Sequence, residues 1–229
     1  MGMIALLPMK EHSERVPNKN IRPLNGIPLF YYIADTLKNT GIFESLAIDT
    51  DSQKIAQLAT DRYGDWIRII ERPSDLVGDH VSMNLIIAHD IALLGAENDY
   101  FQTHSTNPFL SAETIRFAVE RYYVERRIGE FDSLFSVNAL KSRLYDKDLK
   151  PINHNPAVLG RTQDLEMIYE ENSNFYIFSG ESFAHNKHRI GPNPLPYVMS
   201  RNFVEGIDID EISDWYFAEM IVKSGYINE

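Results

Sequence analysis

Three cations fall within one short polar stretch: Lys10, Arg15 and Lys19. A loop of that length cannot disperse them, so they can surround a polyphosphate, the arginine as a planar fork and the lysines as point charges. A solvated loop whose charges bind nothing is the plainer alternative on composition alone. The chain has no GxxxxGK and no GxGxxG segment, so a phosphate cradle here must rest on side chains more than on glycine-exposed backbone. Towards the other end, Ile207-Asp208-Ile209-Asp210 alternates apolar and acidic. Read as a strand, its period of two turns both isoleucines to one face and both carboxylates to the other, about 7 Å apart at Cα. Two carboxylates so placed suit Mg²⁺, a hard cation commonly held by one or two carboxylates plus substrate phosphates. Asp210 as the cap of a following helix is the competing reading.

The distribution of charge supports a small anionic ligand. The whole chain carries −11, which argues against a nucleic-acid polymer as partner, whereas Lys10, Arg15, Lys19 and Arg22 outnumber Glu11 and Glu14 in their segment. With no cysteine among 229 residues, disulfides, thiolate nucleophiles, iron–sulfur clusters and cysteine zinc sites are excluded. No basic leader with an apolar run follows Met1-Gly2-Met3, and no apolar stretch approaches about 18 residues. The expectation is a cytoplasmic protein without a membrane partner.

The elements that must position these residues alternate along the chain. Met3-Ile4-Ala5-Leu6-Leu7 is a continuous apolar run ending at Pro8, as in a strand buried on both faces, and the cationic loop follows it. Pro28 opens a helix to about Asn39 with Gly41 as its stop, Leu46–Ile48 is strand-like, and Asp51 is the expected N-cap of a helix to Tyr63. Strands at 66–70, 99–103 and 133–137 alternate with helices at 82–94 and 111–127. Such alternation predicts an α/β, three-layer αβα, Rossmann-like and mostly parallel sheet, whose ligands bind beyond the carboxyl ends of the strands. Between 139 and 172 the pattern fails, and prolines and asparagines interrupt short extended pieces. This stretch is expected to be an inserted arm within a single domain spanning 1–229. A strand at Phe175–Phe178, a proline-rich loop at 191–196, a strand at Ile207–Asp210 and a helix from Glu211 to Ser224 complete the reading. His185 and His188 have metal-like spacing but lack a third ligand, and Tyr31, Tyr32, Tyr122 and Tyr123 read as core or interface aromatics. Asp49-Thr50-Asp51-Ser52 is similar to a phosphatase nucleophile motif, yet Gln53 stands where Thr or Val is required.

Ser13-Glu14-Arg15-Val16-Pro17-Asn18-Lys19-Asn20, followed by Leu24-Asn25-Gly26-Ile27-Pro28-Leu29, resembles the segment that opens the acylneuraminate cytidylyltransferases. The resemblance continues in order through Asp49-Thr50-Asp51, Arg72-Pro73-Ser74-Asp75-Leu76 with Asp79-His80-Val81-Ser82, His104-Ser105-Thr106-Asn107-Pro108-Phe109, Arg161–Leu165, Asn172–Ile177 and Ile207–Asp210. Two positions depart from the family pattern. Met9-Lys10 replaces Ala-Arg, and His104 replaces a glutamine associated with the sugar acid.

The resemblance implies a nucleotide-diphospho-sugar transferase fold and transfer of a cytidylyl group from CTP to a 2-keto-3-deoxy sugar acid of the nonulosonate type. It implies that Lys10, Arg15 and Lys19 hold the triphosphate, with His104 at the reaction centre. Ser13, Asn20, Arg72 and Ser82 hold ribose and cytosine. Thr106, Asn107, Arg161, Gln163 and Tyr176 shape the acceptor pocket, and Asp208 and Asp210 bind Mg²⁺. It implies also that 139–172 is a dimerisation arm carrying Arg161 toward the site of a second subunit. A same-fold nucleotidyltransferase for another sugar or base, such as an octulosonate synthetase, and a non-catalytic nucleotide-binding module are the alternatives.

Overall fold

The computed structural model describes residues 2–129, 131–199 and 204–225. Strand β1 (Met3–Leu6) is followed by the short strands β2 (Pro23–Leu24) and β3 (Ile27–Pro28), helix α1 (Leu29–Thr40), β4 (Ser45–Thr50), α2 (Gln53–Tyr63), β5 (Ile67–Glu71), α3 (Met83–Leu94), β6 (Asp99–Thr103) and α4 (Ala112–Ile128). Then come β7 (Ser133–Leu140), β8 (Ile168–Ser179), α5 (Gly180–Asn186), β9 (Pro194–Val198) and α6 (Ile212–Ser224). Seven strands form one sheet in the order β5-β4-β1-β6-β8-β7-β9, and β8 alone runs against its neighbours. β2 and β3 form a separate hairpin.

The central position of β1 explains its composition. All four of its residues are buried, Met3 and Ala5 against α1, α2 and α4 on one side, Ile4 and Leu6 against α3 and α5 on the other. A third apolar cluster lies at the sheet edge where ligands are expected: Val16 of the cationic loop, Ile207 and Ile209, and Trp215, Ala218 and Ile221 of α6. Full burial of a valine or isoleucine such as Val16 or Ile209 contributes about 1.5–3 kcal/mol. Their shared burial holds the cationic loop and the acidic segment against one another.

Local signals account for most element ends. α1 stops at Gly41, which takes the left-handed conformation at φ 70°, and Ser111 caps α4 by accepting from Thr114 N at 3.1 Å. Five expectations are corrected. Ser52, not Asp51, caps α2, because Asp51 instead accepts from Glu11 N at 2.7 Å and ties the cationic loop to β4. Residues 191–196 are not all loop: Pro194 and Pro196 belong to edge strand β9, where two prolines a period of two apart can turn their missing donors away from β7. Ile207–Asp210 joins no sheet among the described residues, and a ladder-like bond runs from Ile209 N to Thr106 O at 2.8 Å. The alternation persists, with Ile209 fully buried. Finally, α6 is capped by Glu211, whose backbone N donates to Asp214 Oδ2 at 2.7 Å, so Asp210 is not a cap. β8 also begins seven residues earlier than its apolar half suggests, pairing with a β7 that is irregular between Phe135 and Val137. The irregular segment between these strands is therefore 141–167.

Candidate active site

The ladder of β1 continues past its last residue: Leu7 N donates to Ala47 O and Met9 N to Asp49 O, each at 2.9 Å. The cationic loop thus leaves from a fixed point at the carboxyl edge. Asn20 braces it, its Nδ2 donating to Lys10 O at 2.8 Å while its Oδ1 accepts from Ser105 Oγ at 2.5 Å. Asn18 supplies the turn with φ 55°, a left-handed conformation that asparagine tolerates.

Between this loop, the segment after β6 and the start of α3 lies a cavity of about 390 Å³. Lys10, Ser13, Arg15, Lys19, Asn20, Arg72, His104 and Thr106 all line it, so most of the residues singled out from sequence converge there. Each cation already faces an anion. Lys10 Nζ pairs with Asp79, Arg15 spans Asp210 at 2.9 Å and Glu211 at 3.2 Å, and Lys19 Nζ donates to Ile209 O at 2.7 Å and meets Asp210 Oδ1 at 3.3 Å. Asp79 is held below the usual carboxylate range by its hydrogen bond from Lys10. The fixed positive charge is therefore oriented before any ligand arrives.

Asp208 lies within electrostatic range of Asp210 and Lys19. It lines a second cavity of about 920 Å³ with Asn138, Lys141 and Met167 at the base of the 141–167 segment and Phe217 of α6. Its Oδ1 is buried with no hydrogen-bond partner among the described residues, and burial raises its carboxyl above the ordinary value, against the opposing effect of the Thr106 hydroxyl. Such an oxygen is incomplete without a cation or a donor. Asp210 touches the cations of the first cavity and Asp208 lines the second, so this acidic segment stands between the two spaces.

His104 is neutral through the physiological range. Burial pushes its imidazole down to about 3, with Arg189 and Lys19 adding to the effect and Asp210 opposing it. Its Nε2 lies 3.1 Å from Gln102 Nε2.

Other expected residues are placed elsewhere or are already engaged. Ser82 caps α3 through Asn84 N at 3.3 Å, while its neighbours Val81 and Met83 line the nucleotide-sized cavity. Asn107 is buried and donates to Ile207 O at 3.2 Å, bracing the acidic segment. Tyr176 is fully buried, with the Arg189 guanidinium 3.5 Å from its ring centre and its hydroxyl pushed up to about 12 by burial. Arg161 and Gln163 are exposed in the inserted segment, and Arg161 forms a two-bond pair with Asp164 at 2.8 and 3.0 Å. Neither lines the two cavities of this subunit.

Two groups escaped the sequence reading. Asp79, counter-ion of Lys10, sits inside a motif but offers no spacing signal of its own. Behind the cavity, Arg72 Nε pairs with buried Asp49, whose other oxygen lies 3.6 Å from His89 Nδ1, with Asp90 beside both. Asp49 was legible as part of a block of the family resemblance and of a phosphatase-like motif, and neither announced its pairing with Arg72. His89 and Asp90 are adjacent on α3 and nothing in their spacing announces Arg72.

An open αβα sheet with a cationic loop at the carboxyl edge of its central strand is the architecture of a nucleotidyltransferase. Residues 4–220 match the family model described as cytidylyltransferase, and the chain belongs to that family. It is 25% identical over 235 residues to the pseudaminic acid cytidylyltransferase of Campylobacter jejuni, covering 97% of each chain. It is 28% identical over 242 residues to the CMP-N,N'-diacetyllegionaminic acid synthase of Legionella pneumophila, again covering 97% of each. In three dimensions it is similar to CMP-2-keto-3-deoxy-manno-octonic acid synthetase solved with CTP, with a TM-score of 0.67 at 10% identity over 98% of this chain and 99% of that one.

Proposed function

We propose that the protein activates a nine-carbon 2-keto-3-deoxy sugar acid with CTP, giving the CMP-sugar and pyrophosphate. The names of the Campylobacter and Legionella relatives support the nonulosonate class. The observation that carries the reading is the acidic segment itself: Asp210 contacts Arg15 and Lys19 on the nucleotide side, and Asp208 opens to the larger cavity beyond. Donor and acceptor would meet across it.

In this reaction the anomeric C2 hydroxyl attacks the α-phosphorus. A C2–O–P bond forms, the hydroxyl proton passes to solvent, and the bond from the α-phosphorus to pyrophosphate breaks. Lys10, Arg15 and Lys19 receive the triphosphate and stabilise the charge that grows on the departing pyrophosphate. Ser13 and Arg72 contact the nucleoside end, with Val81, Met83 and Ile86 as the apolar wall. Asn20, Ser82 and Asn107 act on the frame, as their hydrogen bonds are already committed. Lys141 and Asn138 face the acceptor in the second cavity.

Asp208 and Asp210 would hold Mg²⁺, and the unpartnered buried oxygen of Asp208 fits that assignment. When bound, Mg²⁺ supplies charge neutralisation at phosphate oxygens and acidifies a coordinated hydroxyl. The 141–167 segment exposes Leu159 at 94% and Leu149 at 80%, which suits an arm that packs on a second copy of the chain. That copy's arm would bring Arg161 to the acceptor side.

The test is pyrophosphate release from CTP, UTP and GTP with Mg²⁺ against pseudaminic, legionaminic, sialic and octulosonic acids. Turnover with CTP and a nonulosonate is expected. Turnover with the octulosonate alone would move the substrate to the rival class, and CTP binding with no turnover on any acceptor would establish a non-catalytic module.

A further inference from the structure

His104 stands at the end of a chain of hydrogen bonds that begins at a half-buried arginine. Arg189 Nη1 donates to Gln102 Oε1 at 2.7 Å, and Gln102 Nε2 lies 3.0 Å from Thr103 O and 3.1 Å from His104 Nε2. Each step in this chain has one chemical sense. Arginine carries donors only, so the Gln102 atom that faces it must be the carbonyl oxygen. The amide nitrogen then points the other way, and its two hydrogens match the two acceptors, Thr103 O and the histidine ring. A donor aimed at Nε2 requires a lone pair there. The ring proton must consequently sit on Nδ1.

We propose that Arg189 and Gln102 are positioning residues that lock His104 as a neutral imidazole protonated on Nδ1, so that it offers the nucleotide cavity a permanent hydrogen-bond donor. With Nε2 taken, Nδ1–H is the polar group of this cavity-lining ring left for a ligand, and it matches an oxygen acceptor on the phosphate or the sugar acid. The donor role rests on the cytidylyl-transfer reading only for the identity of that oxygen. The tautomer does not depend on it.

The surroundings agree. Arg189 and Lys19 face the ring as cations and Asp210 as the opposing anion, and burial pushes the imidazole down to about 3. Arg189 is itself held by stacking and a long ion pair: it lies 3.5 Å over the Tyr176 ring, with Glu171 at 4.0 Å as its carboxylate partner. A cation maintained in that position costs desolvation, which lowers its own affinity for a proton. Its hydrogen bond to Gln102 gives the cost a purpose: it fixes which end of the amide faces the histidine. A glutamine at 104 could donate equally to the cavity, but it could also rotate. The relay removes that freedom from the histidine.

The experiment is long-range ¹H–¹⁵N correlation of the histidine side chains in the full-length protein between pH 5.5 and 8.5, with His104 assigned by loss of its signal in His104→Gln. The expected spectrum shows Nδ1–H in at least about tenfold excess over Nε2–H, with no titration in that range. An Nε2–H tautomer, or a midpoint inside the range, overturns the proposal. Gln102→Glu presents only acceptors to the ring, so His104 should gain a second proton and titrate above about 6.5. If Gln102→Glu does not fold, Arg189→Met is expected to mix the two tautomers and Arg189→Lys to restore the single one. Unchanged tautomers in Arg189→Met would also overturn it. In turnover, kcat/KM of the wild type should show no inflection from His104 between pH 5.5 and 8.5, and Gln102→Glu should introduce one. Failure of every acceptor in the turnover assay would refute the enzymatic reading while leaving the tautomer result standing.

Discussion

Arg72 is presented to the nucleotide cavity by a buried group whose energetics can be taken apart by substitution. Its side chain is 5% exposed, its Nε pairs with Asp49, and its Nη2 donates to Asp49 O at 3.2 Å. Asp90, 1% exposed, stands within 4.8 Å of Asp49 and His89, and its carboxyl is pushed well above the usual range, first by burial and then by the charge of Asp49. Two carboxyl groups therefore share one cation and retain one proton. Asp49→Asn removes a charge-assisted hydrogen bond of about 1.5–3 kcal/mol, but it also releases Asp90 from repulsion, so that Asp90 can ionise in its place. Asp90→Asn deletes a neutral group and should cost under about 1 kcal/mol, since asparagine can still donate to Asp49. The double variant leaves the guanidinium buried with no anion, at about 3–5 kcal/mol. The double should consequently exceed the sum of the singles by about 1 kcal/mol or more. Urea unfolding at pH 7, read as shifts in midpoint at constant slope, measures all three. Additivity within about 0.5 kcal/mol would refute the shared-charge account. Affinity for CTP should fall in the double more than in either single, because only there does Arg72 lose every carboxylate that orients it.

Asp90 also predicts a pH effect. With its folded pKa raised, the native state keeps a proton that the unfolded chain releases, so stability falls as pH rises above the ordinary aspartate range of about 4. Asp90→Asn should flatten that fall in Tm measured from pH 5 to 9. His104 has the opposite sign: depressed to about 3, it makes the wild type lose stability as pH drops below about 6.5, and His104→Gln should remove that loss. Asp208→Asn should lower kcat by about 10²–10³ if the metal role is correct. The same variant should leave Tm in metal-free buffer unchanged or raised, because the burial cost of its carboxyl disappears. Leu159→Glu, at a side chain 94% exposed in one chain, should shift the protein toward monomers in light scattering without altering its far-ultraviolet circular dichroism.

Much of the fold was legible because its signals are local. A strand buried on both faces must be an apolar run, as Met3–Leu6 is, and helix ends carry their own markers, as Gly41 and Ser111 do. The errors arose where two neighbours competed for one role. Asp51 and Ser52 are both competent caps, and the choice fell to Ser52 because the loop carrying Glu11 claims Asp51. Asp210 and Glu211 are likewise adjacent acids, and Arg15 and Lys19 take Asp210. Pro194 and Pro196 read as loop residues because nothing in their types tells that their strand is the last of the sheet.

By itself the sequence determined the βα alternation, the cationic loop after the first strand and the acidic pair near the end, since each is written in residues close to one another. The tertiary structure decided which of these groups meet. Lys19 and Asp210 are 191 positions apart, and Arg189 and Gln102 are 87 apart. Their contacts depend on the packing of Val16 against Ile209 and Trp215 and of Tyr176 beneath Arg189, and not on any property of the residues themselves. The same holds for protonation. An isolated histidine or aspartate has an ordinary affinity for protons, and only burial beside particular charges pushes the His104 imidazole down and the Asp208 carboxyl up.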